Sequence, residues 1–107
     1  MANNFDEKSI TISNANLTDV FTASNKTVMY SGTIANKSSV AINVSLKKLD
    51  ASASTTTNII GLNTPLPSGS AIPLPKVGLA ASDKIQIQSD HASGNCDINI
   101  NLLTDVA

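Results

Sequence analysis

Residues 40–46, VAINVSL, carry the most regular apolar pattern of the chain. Val40, Ile42, Val44 and Leu46 alternate with small or polar residues, and this period of two is typical of a β-strand with one buried face. At about 3.3 Å per residue the stretch spans roughly 23 Å, the height of a small β-domain. It therefore predicts a central strand whose apolar face the rest of the chain must cover.

Alternation with the same period recurs elsewhere. In residues 84–89 it predicts that Ile85 and Ile87 face inward. Near the C-terminal end it predicts a last buried face made of Cys96, Ile98, Ile100 and Leu102. No segment shows a sustained helical period, and turn residues recur roughly every 8 to 12 positions, as in sandwiches and barrels. The chain therefore predicts an all-β fold, an antiparallel β-sandwich (jelly-roll or Ig-like) of about seven or eight short strands.

Residues 27–36 form another alternating segment, followed by a turn. The pattern places Val28, Tyr30, Gly32 and Ile34 on one side of a strand, and Gly32 indicates a bulge or a close approach of another backbone. The following residues, 36–39, predict a hairpin loop leading into the central strand.

Two later segments are predicted to connect strands. Residues 50–57, DASASTTT, favour a loop whose threonine end is already extended. Residues 64–75 contain all four prolines. Because proline cannot donate to a hydrogen-bond ladder, this stretch is expected at a sheet edge or crossing between sheets.

The chain of 107 residues suits one domain. Residues 1–8 are polar apart from Phe5 and predict an N-terminal arm, while residues 9–107 predict a single β-sandwich domain. In an assembly, such an arm often gains order by lying on a neighbouring subunit, and Phe5 is its expected anchor.

Composition argues against several classes of partner. The net charge is −1, no arginine is present and the lysines are scattered, so the chain is not expected to bind nucleic acid. No run of about 18 apolar residues predicts a membrane span, and the first residues lack the apolar segment of a signal peptide. We therefore expect no membrane partner and no export by a recognisable signal.

The residues that carry enzyme chemistry are sparse. Cys96 is the only cysteine, and its position in phase with Ile98 predicts a buried small residue rather than a nucleophile paired with His91, the only histidine. Residues 90–97 hold several oxygen ligands but fall short of a calcium-loop pattern. The sequence predicts a protein that is not an enzyme, with no catalytic, cofactor-binding or metal residue.

Protein contacts are the remaining type of site. The pair Lys47 and Lys48 either points one side chain to each side of the central strand or marks the end of that strand. Its positive charge either protects a sheet edge from pairing with another chain or contacts an acidic neighbouring protein. The arm and the proline-rich stretch are the other expected contacts. The candidate protein-contact residues are Phe5, Lys47, Lys48, Pro65, Pro67, Pro73 and Pro75.

Several segments, taken in order, resemble a known family. They are TVMYSGTIAN (27–36), VAINVSLKKLDASAST (40–55), LPSGSAIPL (66–74) and LAASDKIQIQS (79–89), followed by a final alternating strand. The series is similar to the small β-sandwich virion structural proteins of tailed bacteriophages, in which a P-x-G-S turn precedes a strand and an L-x-x-G-D-x-I-x-V-x-S stretch follows. Ser82 stands where that family has glycine, and the resemblance covers about residues 17–106.

The resemblance implies a structural subunit of a virion. It implies a capsid decoration (cement) or neck/tail accessory protein that is present in many copies and is made in the host cytoplasm. The N-terminal arm and the stiff proline-rich stretch add the expectation of a homo-oligomer, a trimer or higher rather than a dimer, docked on other virion proteins. The alternative is a ligand- or carbohydrate-binding β-sandwich module. Carbohydrate sites usually offer an aromatic platform, and this chain has no tryptophan and one tyrosine.

Overall fold

Two antiparallel sheets packed face to face form the fold seen in the computed structural model, which describes residues 4–61 and 63–105. Within these residues there are ten strands and no helix. In chain order the strands are β1 (Asn4–Ile12), β2 (Thr18–Thr22), β3 (Thr27–Asn36), β4 (Ile42–Asp50), β5 (Thr55–Asn58), β6 (Thr64–Leu66), β7 (Ala71–Pro73), β8 (Val77–Leu79), β9 (Lys84–Ser89) and β10 (Cys96–Thr104). The predicted β-sandwich is confirmed.

The order of the strands is that of a jelly roll. One sheet runs β1-β10-β3, with β7 and β8 both paired to β3; the other runs β2-β9-β4, with β5 and β6 both paired to β4. The chain passes from one sheet to the other at six of the nine connections between its strands, so the jelly roll, and not the Ig-like alternative, describes the fold. The strand count exceeds the predicted seven or eight because two of the sheet edges are each split into two short strands.

The core between the sheets is aliphatic. In β4 the predicted inward face is confirmed for Ile42, Val44 and Leu46, each at most 2% exposed. Val40 is 45% exposed and lies outside the strand, so the predicted start at residue 40 is wrong. The reason is that residues 37–41 carry the chain across to the other sheet before β4 begins.

The inward residues of the last two core strands agree with the prediction. Ile85 and Ile87 in β9 are fully buried, and β10 turns its four predicted residues, Cys96, Ile98, Ile100 and Leu102, into the core. These strands are regular over the predicted segments, so their alternation can be followed without interruption.

A β-bulge changes the phase of β3. Ser31 is paired with Asn101 and Met29 with Leu102, which leaves Tyr30 as the extra residue. Ile34 faces inward as predicted, but before the bulge Met29 is the buried residue, so the prediction that Val28 and Tyr30 share the side of Ile34 is wrong.

The predicted close approach at Gly32 is confirmed. A Cβ atom there would lie 2.7 Å from the carbonyl oxygen of Asn99 on the neighbouring strand. Any side chain at this position would therefore push β3 away from β10.

Of two predicted connections, the structure contradicts one and confirms the other. Residues 36–39 do not form a hairpin, because β3 and β4 belong to different sheets. The side chain of Asn36 instead holds the crossing, since its Nδ2 donates to the carbonyl oxygens of Val40 (2.7 Å) and Leu66 (3.0 Å). The proline-rich stretch does cross between sheets, as predicted, from β6 to β7 through a turn at Gly69 with φ of +71°.

Residues 4–8 of the predicted arm are part of β1. Each of them is paired with β10, from Asn4 opposite Thr104 to Lys8 opposite Ile100, so the first strand begins at Asn4 and not at Ser9. The pairing is possible because β10 runs nine residues and offers a partner along its whole length. Residues 1–3 of the arm lie outside the described residues.

Candidate interaction surfaces

The only histidine and the only cysteine do not form a catalytic pair. His91 lies in the loop before β10, where its Nδ1 accepts a hydrogen bond from the backbone N–H of Ser93 at 3.0 Å and lies 3.2 Å from Asn95 Nδ2. Cys96 is fully buried, and burial raises the pKa of its thiol to about 11. A thiol this strongly protonated at neutral pH is a packing residue, as predicted, and a poor nucleophile.

The carboxylates of Asp90, in the same loop, and Asp97, at the start of β10, are turned towards separate partners. Asp90 accepts hydrogen bonds from the backbone N–H (2.9 Å) and the side chain (2.8 Å) of Asn43, and these bonds lower the pKa of Asp90. Asp97 accepts from Thr11 Oγ1 at 2.7 Å and lies 3.6 Å from Lys37 Nζ. Among residues 4–61 and 63–105, no three His, Cys, Asp or Glu side chains are grouped to hold a metal ion.

Phe5 contributes to an aromatic pair on the outer face of the sheet that contains β1. Its ring is 80% exposed and packs edge-on against Tyr30, with centroids 6.2 Å apart and ring planes at 80°. Tyr30, the bulged residue of β3, is itself 40% exposed. Phe5 is also in register with Leu103, and Leu103 with Val28, so an apolar row crosses this end of the sheet.

Acidic groups border this apolar row. Asp6 and Glu7 line the same shallow depression as Phe5 and Tyr30, and Glu7 donates its backbone N–H to Asp6 Oδ1 at 2.8 Å. We name Phe5, Val28, Tyr30 and Leu103 the aromatic patch. Phe5 was predicted as a contact residue, but Tyr30 was missed because the alternation of residues 28–34 places it in the core, and only the bulge turns it outward.

The lysine pair is divided between the two sides of β4, one of the two predicted arrangements. Lys48 continues the inward phase, and its Nζ donates to the carbonyl oxygen of Gly78 at 2.7 Å and lies 3.9 Å from the buried carboxylate of Asp83. Lys47 takes the opposite phase, on the outer face of the second sheet. Lys48 is therefore engaged within the chain, and Lys47 is the one placed for an outside contact.

The prolines lie along the side of the sandwich farthest from β1. All four are exposed; Pro65 is in β6, at the outer edge of one sheet, and Pro73 is in β7, at the outer edge of the other. The predicted contact residues thus fall on separate surfaces, with Phe5 on the β1 side and the prolines opposite. Within the described residues no helix is long and apolar enough to cross a membrane.

Solved structures share this jelly roll at low sequence identity. A protein of the IBDV viral particle superposes with a TM-score of 0.58 and 10% identity, over 95% of this chain and 31% of that one. A Bacillus endospore appendage protein, from a family of disulfide-linked pili, gives a TM-score of 0.58 and 10% identity over 100% and 93% of the two chains. The vertex protein of PRD1 gives 0.53 and 14% over 94% and 95%.

These likenesses show the fold. No protein-family model and no curated protein sequence matches the chain. The chain spans about a third of the IBDV protein but nearly the whole of the other two. The three proteins are parts of a viral particle, a pilus and a viral vertex, so each belongs to a larger structure.

Proposed function

We propose that this protein is a non-enzymatic structural subunit of a tailed-phage virion, most simply a capsid decoration (cement) or neck/tail accessory protein. The observation that carries the proposal is the complete jelly roll, which two viral-particle proteins share over 94% and 95% of this chain. The segment resemblance to tailed-phage virion proteins points the same way. In this role the protein acts through protein–protein contacts.

The surfaces described above suit a subunit that repeats. The aromatic patch exposes two of the three Phe and Tyr rings of the chain, and the lysine and proline surfaces lie on other sides of the molecule. A subunit with distinct contact surfaces can meet copies of itself and the particle together. We infer a homo-oligomer, a trimer or higher, docked on other virion proteins and made in the host cytoplasm, without nucleic acid or membrane partners.

The experiment is co-purification with the particles produced by the cells that express the protein. The full-length chain is expected in many copies per particle, in constant ratio to the major capsid or tail protein. A chain lacking residues 1–8 is expected to stay folded and to bind more weakly, because residues 4–8 contribute Phe5 and no buried side chain.

A matched variant distinguishes the contribution of the Phe5 ring to binding from the contribution of the strand that carries it. Phe5→Ser keeps the full length of β1 but removes half of the aromatic pair, so it is expected to weaken binding in the same direction as the truncation. Normal binding by both variants would remove the arm from the proposal. A full-length chain that never accompanies particles would contradict the virion role itself.

A protein fibre is the second candidate, favoured by the likeness to the endospore appendage protein over 93% of that chain. A linear chain of disulfides needs at least two accessible cysteines per subunit, whereas this sequence has one, which is fully buried. Any fibre built from this chain would therefore not be a linear chain of disulfide-linked subunits. Negative-stain electron microscopy separates the candidates, since a fibre subunit gives filaments and a virion accessory gives closed rings or decorated particles.

The carbohydrate-binding alternative finds less support in the geometry. Phe5 and Tyr30 are the exposed rings among residues 4–61 and 63–105, and their planes meet at 80°. Perpendicular rings offer no common flat face for a sugar ring. Binding to a glycan array with micromolar affinity, lost on Tyr30→Ala, would nevertheless favour this module over the structural subunit.

A further inference from the structure

The first two thirds of β1 are bound to the domain without being buried in it. All six residues from 4 to 9 are exposed, on both faces of the strand. Asp6 and Lys8 point to the inward side, yet both are exposed, although their partners in β10, Leu102 and Ile100, are buried. Because the inward side chains stay exposed, residues 4–9 are attached to the domain mainly by the backbone ladder with β10.

Few side-chain contacts add to that ladder. Phe5 meets Tyr30, Thr104 Oγ1 donates to the carbonyl oxygen of Asn4 at 3.3 Å, and Thr11 Oγ1 donates to Asp97. The end of the strand alone contacts the core, through the buried Ile12 and the half-buried Ile10. Segments with few buried apolar contacts are the ones that open at low free-energy cost.

The edges of the two sheets differ in a way that sets β1 apart. The edge made by β5 and β6 and the edge made by β7 and β8 are broken and contain Pro65 and Pro73, while β2 is five residues long with an irregular register. These are the usual protections against pairing with another chain. Among residues 4–61 and 63–105, β1 alone is a nine-residue strand at an edge.

The partner strand offers a preformed site for this segment. β10 is held from its other side by β3 and places Ile98, Ile100 and Leu102 in the core, so its position does not depend on β1. The nine β1–β10 pairs contain no register shift. Any copy of β1 therefore fits any copy of β10, because the fit is the one already present within the chain.

The connection after β1 can act as the hinge. Residues 13–17 are mostly exposed, and their side-chain-mediated ties are local or single: Asn14 Oδ1 accepts from the N–H of Asn16, and Gln88 Nε2 donates to the carbonyl oxygen of Ala15. Five extended residues span at most about 17 Å. An exchanged β1 would therefore reach a copy lying directly beside its own domain.

From these observations we propose that β1 is an exchangeable strand, which in the assembled protein leaves its own β10 and pairs in the same register with β10 of a second copy. The exchange rests on the proposed role as a repeating subunit. It conserves the β1–β10 pairs while linking two chains. If every copy gives one strand and receives one, two copies can swap strands reciprocally, or a head-to-tail series can form that closes into a ring or continues as a filament; the ring is the form that fits the proposed trimer or higher oligomer.

Ser9 and Asn99 provide a direct test, because they lie opposite each other and both are exposed. The N–H of Glu7 donates to Asp6 Oδ1, which indicates that odd-numbered residues of β1 direct their backbone groups away from β10. Ser9 and Asn99 are then a non-hydrogen-bonded pair, whose Cα separation of about 4.5 Å permits a disulfide. Cys96 is fully buried and does not compete.

The first arm of the test locks β1 in place. Oxidised Ser9→Cys/Asn99→Cys monomer, prepared at high dilution, is expected to lose at least tenfold in self-association by sedimentation, and reductant is expected to restore it. The control is Thr33→Cys/Asn99→Cys, which ties β10 to β3 and leaves β1 free. Equal association of the locked and reduced forms would overturn the exchange while leaving the repeating-subunit role standing.

The second arm detects the exchanged strand itself. Ser9→Cys chains and Asn99→Cys chains carrying different tags are mixed, assembled and oxidised. The exchange predicts a disulfide between the two kinds of chain, identified by mass spectrometry as residue 9 joined to residue 99. An assembly that yields no such cross-link would overturn the exchange, and a chain that never self-associates would contradict the repeating-subunit role as well.

Discussion

At the scale of single residues, buried positions follow strand phase wherever a strand is uninterrupted. The isoleucines of β9 and the four inward residues of β10 could be predicted from sequence because side chains alternate strictly across a regular strand. The phase of β3 could not be predicted beyond its bulge, because one extra residue moves every preceding side chain to the other face. The bulge therefore places the side chain of Tyr30 at the surface and not in the core.

Val44 tests the phase of the central strand. Val44→Asp places an unpaired carboxylate at a fully buried position and is expected to lower the free energy of unfolding by more than about 3 kcal/mol. Asn99→Asp, a nearly isosteric change at an exposed position of β10, is expected to change it by less than about 0.5 kcal/mol. Urea unfolding monitored by circular dichroism measures both, and equal midpoints would contradict the assigned phase.

The neighbouring Asn43 is not a suitable control for Val44. Its side chain donates to Asp90 Oδ2 at 2.8 Å, so Asn43→Asp would set two carboxylates against each other. The sequence alone presents Asn43 as an ordinary outward residue. The bond to Asp90 joins residues 47 positions apart and becomes visible only in the fold.

The same contact predicts a pH dependence. Hydrogen bonds from Asn43 to Asp90, from Gln86 and Lys84 to Asp19, and from Ser52 and Ala53 to Asp50 lower the pKa of each carboxyl group in the folded protein. The unfolded chain, with ordinary aspartate pKa values of about 4, then binds more protons, so these groups stabilise the fold above that pH. The stability they provide is lost as the pH falls through the lowered values.

Asp90→Asn should flatten this dependence. Melting temperatures measured from about pH 6 to about pH 2.5 are expected to fall less in this variant than in the unmodified protein, because one of the lowered carboxyls is gone. Asn99→Ala, which leaves all three carboxyls unchanged, should keep the original slope. Parallel profiles for all three proteins would show that the contact with Asn43 does not influence folding.

At the scale of elements, the strands were easier to predict than their partners. Alternation located β4, β9 and β10, but the pairing of β1 with β10 joins the two ends of the chain, and no local pattern encodes it. The apparent hairpin at residues 36–39 has the same cause, since turn residues between two strands do not reveal whether the second strand stays in the sheet. Sheet membership is decided by which apolar faces meet across the core.

A buried carboxylate joins several connections at one end of the sandwich. Asp83 is 3% exposed, and its side chain accepts hydrogen bonds from the backbone N–H groups of Ala51 (3.1 Å) and Ala80 (2.9 Å), close to Lys48. Its carbonyl oxygen accepts from the N–H of Ala23 at 2.9 Å. Loops between three pairs of strands are thereby held together.

Removing this carboxylate should loosen that end of the fold. Asp83→Ala leaves two backbone donors without their acceptor and Lys48 without its ion-pair partner, and is expected to cost about 2–4 kcal/mol. Asp83→Asn keeps one acceptor oxygen and should cost less. Thermal unfolding compares the stabilities of the two variants. An Asp83→Ala variant as stable as the unmodified protein would mean that water replaces the carboxylate at no cost.

At the scale of the whole molecule, the class of fold could be predicted from the sequence, and the contact surfaces only in part. Phe5 and the prolines are exposed and Lys47 is half-buried on an outer face, where partners could meet them, while Lys48 is engaged with Gly78. The aromatic patch and the long edge strand depend on a bulge and on end-to-end pairing, which sequence patterns do not reveal. What the chain does must therefore be tested on the assembled protein.

Sedimentation velocity of the purified full-length chain tests most directly whether this jelly roll works as a repeating subunit. We expect a species of at least three times the chain mass of 11.1 kDa, which persists as the protein is diluted through the micromolar range. A single 11.1 kDa species at every concentration would contradict it.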